Sequence, residues 1–304
     1  MTGGAIRDRR LLVTGAAGFL GGALCRRAVA QGALVTALLH VAGPAPDGVA
    51  GVDVLDLATG DIDAVLARAE PQAIVHCAGL TAAPGDAAGH ALLLRANVTA
   101  TERLLQAAAR QALPPRVVLV SSAAIWGPMA QGQAAIDESH PIAPASPYGH
   151  AKAAMTRLGL EAGEAGLQVA IGVPFNIIGP GQPARMAPQA FIDQLRADPA
   201  VITLSDPDAV RDWVDVRDVA EALLRLADPA TPPALYNIAT GRGLSLGAMV
   251  QAIGEVTGRR PEIRRGSAPA GVSRSIGNPG RLLRATGWQA QVPLVQTLAD
   301  MLAG

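Results

Sequence analysis

Residues 11–22, LLVTGAAGFLGG, decide the fold of this protein. A short apolar run ends in a turn that carries Gly15, Gly18 and Gly21, a helix-like segment follows, and a second apolar run occupies residues 34–38. This order of strand, turn, helix and strand is the unit from which parallel sheets are built. Glycines at this spacing allow a tight turn and close approach to a pyrophosphate, which the free N–H groups of the helix N-terminus attract. The stretch predicts a dinucleotide-binding turn.

The same alternation continues as far as residue 173. It predicts helices at 61–70, 91–111 and 146–165, and strands at 73–77, 116–120 and 167–173. Strands separated by helices lie parallel in one sheet, with helices on both faces. We therefore expect an α/β protein with a doubly wound parallel sheet, the Rossmann architecture.

Beyond residue 173 the pattern changes. Pro and Gly cluster between 174 and 188 and precede a helix-like segment at 189–196. Here we expect the chain to build a smaller, mixed α/β C-terminal substrate lobe, while a strand and helix at 213–227 and a strand at 235–238 return to the main sheet. The predicted domains are a dinucleotide-binding Rossmann domain of residues 1–173 plus 211–240 and a substrate-binding lobe of residues 174–210 plus 241–304.

Charge and hydropathy exclude several classes of partner. The 25 Lys and Arg residues balance 25 Asp and Glu residues, so the formal charge is zero. Nucleic acids and anionic membranes are bound through a clustered positive excess, and we expect neither as a partner. Half of the residues are hydrophobic, but we find no run of the ~18 apolar residues that a spanning helix needs.

Only two cysteines occur, Cys25 and Cys77, and the apolar run at 11–13 is too short for the core of a signal peptide. We therefore expect a cytoplasmic, reducing compartment. Both cysteines lie in apolar segments, which predicts buried thiols rather than ligands. We predict no metal site.

Tyr148 and Lys152 form the second candidate site, near the start of a predicted helix. Residues four apart lie on one helical face. A neighbouring lysine cation favours the phenolate and lowers the pKa of a tyrosine, which makes the phenol usable as a proton donor and acceptor. An exposed tyrosine and a solvated lysine are the alternative.

A third candidate site is Ser121-Ser122, which follows the predicted strand 116–120. Ligands of open parallel sheets bind at the carboxyl ends of the strands, where a hydroxyl can hydrogen-bond a substrate oxygen. A turn or a helix cap is the alternative role for this pair.

Together these residues resemble the extended short-chain dehydrogenase/reductase family, the NAD-dependent epimerase/dehydratase family, over essentially the whole chain. The matching motifs, in the family's order, are TGAAGFLG (14–21), Asp56-Leu57, His76-Cys77-Ala78-Gly79, Asn97, SSAAIWG (121–127), Ser146-Pro147-Tyr148 with Lys152, PFN to GPG (174–181), RDWVDVRDVA (211–220), Tyr236-Asn237-Ile238 and Thr286-Gly287-Trp288.

The resemblance implies a catalytic trio of Ser122, Tyr148 and Lys152. Tyr148 would exchange a proton with a sugar oxygen, Lys152 would bind the cofactor ribose and tune Tyr148, and Ser122 would orient the reacting oxygen. It also implies a set of cofactor-binding residues, namely Gly15, Gly18, Phe19, Leu20, Gly21, His40, Asp56, Leu57, Ala78, Gly79, Asn97, Tyr148, Lys152 and Pro174.

Most members of this family act on nucleotide sugars. The resemblance places Ser122, Ala123, Asn176, Arg211 and Arg281 against the substrate, with Asn176 and Arg211 on the nucleotide diphosphate. An arginine can hold a phosphate in two hydrogen bonds without any net positive charge of the protein. For Arg211 the alternative is an ion pair with Asp212 or Asp215.

Departures from the family pattern narrow the reaction. Related 4,6-dehydratases carry an Asp-Glu pair directly after the catalytic Ser or Thr, where this chain has Ala123 and Ala124. Fucose-synthase-type and 3,5-epimerase enzymes place a Cys in the same segment, which has none here. The resemblance is nearest to GDP-4-keto-6-deoxymannose reductases, with an NDP-sugar 4-epimerase, a reductase of small non-sugar ketones and a non-catalytic NAD(P)-binding regulator as alternatives.

Two further expectations follow from the family resemblance. NAD-preferring members place an acidic residue at the end of the second strand, where this chain has Leu39 followed by His40; the cofactor is NAD(H) or NADP(H), with a lean to NADP(H). Members of the family pair two helices of each subunit into a four-helix bundle. We therefore expect a homodimer formed through the helices at 91–111 and 146–165.

Overall fold

The computed structural model describes residues 6–130, 132–198, 200–266 and 273–303. The ends of the predicted domains at 1–5 and at 304, and residues 131, 199 and 267–272 within them, lie outside the described residues.

The strands of the structure are β1 Arg10–Thr14, β2 Leu34–Leu39, β3 Gly51–Val54, β4 Ala73–His76, β5 Arg116–Val120, β6 Val169–Pro174, β7 Asn176–Ile178, β8 Val201–Leu204, β9 Val210–Asp215, β10 Leu235–Ile238, β11 Gly243–Ser245, β12 Glu262–Arg265 and β13 Arg274–Ser275. The α-helices are α1 Phe19–Ala30, α2 Ile62–Ala69, α3 Ala87–Leu94, α4 Ala100–Ala109, α5 Pro147–Glu164, α6 Gln189–Ala197, α7 Val216–Leu226, α8 Leu246–Thr257, α9 Gly280–Thr286 and α10 Leu294–Ala303.

A seven-stranded parallel sheet forms the centre, in the order β3-β2-β1-β4-β5-β6-β10. The order reverses direction between β1 and β4, so the carboxyl ends of these two strands face the crevice where ligands of such sheets bind. The expectation of a doubly wound Rossmann sheet is confirmed.

Alternate strand residues build two separate cores, because successive side chains of a strand point to opposite faces. Val13 of β1 packs in the core under α1 and α7, together with Leu24 and Leu223. Leu12 packs in the core under α2, α4 and α5, together with Leu104. Both faces of the sheet are therefore buried, which explains why its strands read as continuous apolar runs.

The smaller lobe contains a sheet of β11, β9 and β13, with β7 paired to β9, and a two-stranded sheet of β8 and β12. The expectation that the strand beginning near Trp213 rejoins the main sheet is wrong. Its edges are occupied by β7 and β11, and Trp213 packs in the lobe core while Val214 reaches the main core. Strand β10 does join the main sheet, beside β6.

The predicted helix at 91–111 is interrupted. Residues Arg95–Thr99 form a π-helical turn between α3 and α4. Such turns are rare in proteins, and those that occur often lie at functional sites. Within the described parts of the chain, no helix is both long and apolar enough to cross a lipid bilayer.

Candidate active site

The glycine turn between β1 and α1 is packed backbone against backbone. Gly15 has a φ of +66°, and a Cβ atom there would lie 2.8 Å from Ala78. A Cβ atom on Gly21 would lie 2.1 Å from the carbonyl oxygen of Gly15. Side chains are therefore excluded at both positions. The backbone of the first turn of α1 packs directly against the glycine turn, and pyrophosphate binding at a helix N-terminus requires this close approach of the backbone.

A cavity of about 300 Å³ opens beside this turn, lined among others by Gly18, Phe19, Arg26, Pro46 and Pro180. Arg26, an exposed side chain on α1, is the cation of this lining, and the sequence reasoning missed it. Its spacing from the glycines could have indicated it, because Arg26 lies one helical turn beyond Gly22 on the same face.

The turn that follows β4 lies directly against the glycine turn. The hydroxyl of Thr14 accepts a hydrogen bond from the Ala78 N–H at 3.1 Å. A Cβ atom on Gly79, whose φ is +155°, would lie 2.4 Å from Asn97 Oδ1 and 3.5 Å from Lys152 Nζ. Gly79 thus brings the π-helical turn and the candidate lysine to the same place, although they are far apart in sequence.

Asn97 is fully buried, and its amide nitrogen donates to the carbonyl oxygens of Leu80 and Leu93, each at 3.0 Å. Its Oδ1 atom has no hydrogen-bond partner among the described residues. A buried acceptor without a partner costs free energy, and a bound ligand or water would relieve that cost. This orphaned atom, and the close-packed glycine turn, fit a dinucleotide cofactor.

Lys152 is the only lysine of the chain, and that scarcity is a sequence signal for its role. It is buried on α5, where its ammonium group donates to the carbonyl oxygen of Val120 at 2.9 Å. Burial lowers the pKa of Lys152 to about 8, because the charged form loses its hydration.

Tyr148 lies in the first turn of α5, which begins with Pro147 and is capped by Ser146. Burial raises the pKa of the Tyr148 hydroxyl, and a hydrogen bond with Ser122 lowers it by less. The expectation that the charge of Lys152 sets this pKa is wrong for this structure, since burial has the larger effect. Tyr148 is therefore a protonated phenol at neutral pH, a proton donor paired with Ser122.

The side chains of the two serines after β5 have different hydrogen-bond partners. Ser121 is buried and hydrogen-bonds the Thr156 hydroxyl at 2.7 Å. Ser122 caps the short 3₁₀ turn at Ala123–Ile125, accepting from the Ala124 N–H, and also meets Tyr148. The expectation of a helix cap is confirmed for Ser122. Its contact with a substrate stays a prediction. Ala123 and Ala124, which follow Ser122, carry no proton donor.

Other predicted cofactor residues surround this centre. Asp56 follows β3, accepts from the Ala58 N–H at 2.9 Å and pairs with Arg95 of the π-helical turn. His40 is exposed after β2, Leu57 is buried, and Pro174 ends β6. Leu20 lies in the first turn of α1. Their contact with a cofactor stays a prediction.

Arg211 and Asn176 lie on neighbouring strands of the small sheet, β9 and β7. The guanidinium of Arg211 donates to the carbonyl and hydroxyl oxygens of Ser273 at 2.9 and 2.8 Å. Asp212 is occupied by backbone N–H groups and Asp215 by Arg217, so within the described residues neither pairs with Arg211. The ion-pair alternative is wrong.

Arg281 lies elsewhere, on α9. It pairs with the buried carboxylate of Glu138 at 3.5 Å and donates to the Leu235 carbonyl at 3.2 Å. A role in substrate binding stays a prediction, and these contacts show a structural one. No group of three or more potential metal ligands occurs in the described part of the protein.

Comparison with known proteins places this fold and site in a family. The NAD dependent epimerase/dehydratase family matches residues 11–239. The chain is 32% identical over 279 residues to a dTDP-6-deoxy-L-talose 4-dehydrogenase (NAD(P)(+)) of Kitasatospora kifunensis, covering 89% of this chain and 86% of that protein. It is 30% identical over 242 residues to a GDP-6-deoxy-D-mannose reductase of Pseudomonas aeruginosa, covering 77% and 80%.

Among solved structures, MoeE5 in complex with UDP-glucose and NAD superposes with a TM-score of 0.84 at 30% identity, covering 96% of this chain and 97% of that one. Proteins named UDP-glucose 4-epimerase and dTDP-glucose 4,6-dehydratase match the chain as well. The chain belongs to the NAD dependent epimerase/dehydratase family.

Proposed function

We propose that this protein is an NAD(P)-dependent oxidoreductase that reduces the 4-keto group of a nucleotide-linked 6-deoxy sugar. The observation that carries the proposal is the placement of Lys152, which is buried with its ammonium group 2.9 Å from the Val120 carbonyl oxygen, at the carboxyl end of β5 that leads into Ser122. Tyr148 lies one helical turn before Lys152 on α5. Two relatives with similar sequences are named for oxidation or reduction of such sugars.

The residues divide the work. The hydride for the carbonyl carbon would come from a dihydronicotinamide bound at the glycine turn. Tyr148, protonated because of its burial, donates a proton to the carbonyl oxygen, and Ser122 donates a hydrogen bond that orients this oxygen. Lys152 holds the ribose and, as a cation, stabilises the phenolate that forms. The products are a hydroxyl group and an oxidised nicotinamide.

Arg211 and Asn176 are proposed to hold the nucleotide diphosphate. Ser273, which fixes the Arg211 guanidinium, lines a cavity of about 650 Å³ together with Met129, Gln133 and Arg274. Cavities of about 300–1,000 Å³ are the size that small-molecule ligands fill. This volume and an adjacent cation favour a nucleotide sugar over a small non-sugar ketone, which would need no phosphate contact.

The best-supported alternative is an NDP-sugar 4-epimerase, which would oxidise and re-reduce the sugar with a retained cofactor. A 4,6-dehydratase is disfavoured by Ala123 and Ala124, because eliminating water requires a proton donor and acceptor after Ser122. A regulator without catalysis would need none of the trio, all of which is present.

The deciding experiment follows nicotinamide absorbance with NADPH and with NADH against a panel of nucleotide-linked 4-keto-6-deoxy sugars, alongside an assay of UDP-hexose interconversion. Stoichiometric oxidation of the cofactor is expected. Sugar interconversion without net oxidation would show an epimerase instead.

For the cofactor we propose a preference for NADP(H). Leu39 and His40 present no carboxylate at the end of β2, and Arg26 lines the cavity at the glycine turn. A 2′-phosphate would find no repulsion at the end of β2 and one nearby cation. Arg26→Ala should raise the KM for NADPH and leave that for NADH within about twofold; equal effects on both would argue against the preference.

The remaining proposals concern assembly and location. We propose a homodimer through α3–α5, where a groove of about 440 Å³ between α4 and α5 is lined by Leu105, Leu158 and Ala162; a monomer mass by light scattering would contradict it.

The domain division given above remains our proposal, with β9 lying where the two domains meet. Both cysteines are unbonded, which suits a cytoplasmic compartment.

A further inference from the structure

His76 occupies the last position of β4, fully buried between the glycine turn and the π-helical turn. Its Nδ1 atom lies 2.8 Å from the hydroxyl oxygen of Thr14, and its Nε2 atom lies 2.9 Å from the hydroxyl oxygen of Thr101. Both ring nitrogens are thus engaged by hydroxyl groups, one at the end of β1 and one on α4.

The hydroxyl hydrogens fix the state of the ring. The hydroxyl of Thr101 donates its one hydrogen to the Asn97 carbonyl oxygen at 2.7 Å, so its oxygen must accept from His76 Nε2–H. Thr14 accepts from the Ala78 N–H and has its own hydrogen free for His76 Nδ1. The ring is therefore the neutral tautomer with its hydrogen on Nε2.

The network closes on itself. Two residues after Ala78, the carbonyl oxygen of Leu80 accepts a hydrogen bond from the side-chain amide of Asn97. The backbone carbonyl oxygen of Asn97 accepts from the Thr101 hydroxyl, which in turn accepts from His76. Every hydroxyl in this ring accepts one hydrogen bond and donates one. A second proton on the imidazole would leave Nδ1 unable to accept from the Thr14 hydroxyl, so the closed network of hydrogen bonds would be broken. Burial, and to a smaller extent the charge of Lys152, lowers the pKa of His76 to about 3.

We propose that His76 is a positioning residue that, as a neutral imidazole, couples the dinucleotide turn to Asn97 and so sets the place of the Asn97 side chain in the cofactor site. Gly79, in the turn that the ring encloses, is the residue against which Asn97 Oδ1 lies. Loosening the ring therefore loosens Asn97 Oδ1, a buried acceptor without a hydrogen-bond partner among the described residues. This inference rests on the proposed nicotinamide site.

The test uses Thr101, which contacts His76 without touching Lys152 or Tyr148 in any described hydrogen bond. Thr101→Val removes the hydroxyl with little change of shape, Thr101→Ser keeps it, and Thr257→Val is the matched control because Thr257 makes the same helix contact, to Ile253, in the other lobe. The readout is the Kd for NADPH and NADH by fluorescence titration, which needs no sugar substrate.

We expect Thr101→Val to weaken cofactor binding about tenfold, and Thr101→Ser and Thr257→Val to change it by less than about threefold. Asn97→Ala should weaken binding as well, and adding Thr101→Val to Asn97→Ala should have no further effect, because Thr101 acts through Asn97. Additive effects of the two changes, or equal effects of Thr101→Val and Thr257→Val, would overturn the proposal.

A second measurement needs no variant that could fail to fold. The chain has five histidines, and the ¹⁵N NMR signals of His76 are those that persist when each of the other four is replaced in turn by Gln; His40, His90 and His150 are exposed and His140 is half-buried. The expected signal is a neutral Nε2–H ring that does not titrate between pH 5 and 9. A titrating ring or the opposite tautomer would overturn the proposal, whereas failure of the wild type to bind either nicotinamide would instead overturn the proposed function.

Discussion

The ammonium nitrogen of Lys152 lies 2.9 Å from the carbonyl oxygen of Val120, the last residue of β5. This hydrogen bond joins the second turn of α5 to the end of the strand that leads into Ser122. The lysine and the serine are therefore held relative to each other by the backbone of the sheet, and Tyr148, one helical turn before Lys152, is carried to the same point.

Tyr148→Phe should abolish turnover and keep the cofactor. The substitution removes the proton donor without changing the ring, so we expect kcat to fall at least about 100-fold, with the Kd for NADPH within about twofold. Steady-state kinetics and fluorescence titration measure the two quantities. The only other tyrosine, Tyr236, donates to the Pro232 carbonyl away from the crevice, so Tyr236→Phe should leave kcat unchanged; an active Tyr148→Phe enzyme would refute the assignment.

The pKa of Lys152 can be measured directly because it is the only lysine. Burial lowers this pKa from 10.5 to about 8, so the ammonium loses its proton as the pH rises through about 8. The ¹³Cε signal of lysine-labelled protein should titrate there in the folded state and near 10.5 in urea. A folded-state value near 10.5 would mean that the side chain is solvated.

The same shift has consequences for stability and activity. Between pH 8 and 10.5 the unfolded chain binds a proton that the folded chain does not, so the contribution of Lys152 to stability increases with pH across this window. Any advantage of Lys152→Met in urea denaturation should therefore shrink from pH 8 to pH 10.5. Reduction by the wild type should decline above pH 8 as the cation is lost.

Gly21→Ala should destroy the dinucleotide turn. A Cβ atom would lie 2.1 Å from the Gly15 carbonyl oxygen, so the turn must open or α1 must shift, and we expect cofactor binding to weaken beyond measurement. The control is Gly163→Ala near the end of α5, where nothing lies within 4 Å, and which should stabilise the fold by about 0.5–1 kcal/mol. Normal cofactor binding by Gly21→Ala would disprove the close packing.

Arg211→Ala should raise the KM for the nucleotide sugar at least about tenfold, the effect of removing a charge-assisted hydrogen bond. The Kd for the cofactor should not change. The comparison is Arg281→Ala, which breaks the pair with Glu138 and should lower the melting temperature more than it changes KM. If Arg281→Ala alone raises KM, the two arginines have the opposite roles.

The local pattern of the sequence was enough for the central sheet. The βαβ unit at 11–38, the apolar strands and the glycine turn are all specified by neighbouring residues, since strand burial and turn geometry depend on contacts within one supersecondary unit. Tyr148 and Lys152 share one helix, so their spacing alone placed them together. The strand near Trp213 was misassigned because its apolar pattern is the same whichever sheet pairs with it.

What only the tertiary structure decided involves residues far apart in sequence. Thr156 holds the Ser121 hydroxyl and so leaves Ser122 as the candidate for the site. The π-helical turn at Asn97 packs beside Gly79. The neutral state of His76 depends on hydroxyl groups 62 and 25 residues away in the sequence. The single lysine was present in the sequence, but its lowered pKa comes from its burial between α5 and the end of β5. Burial and hydrogen-bond direction are properties of the assembled crevice, because each depends on which distant groups exclude water from a given atom.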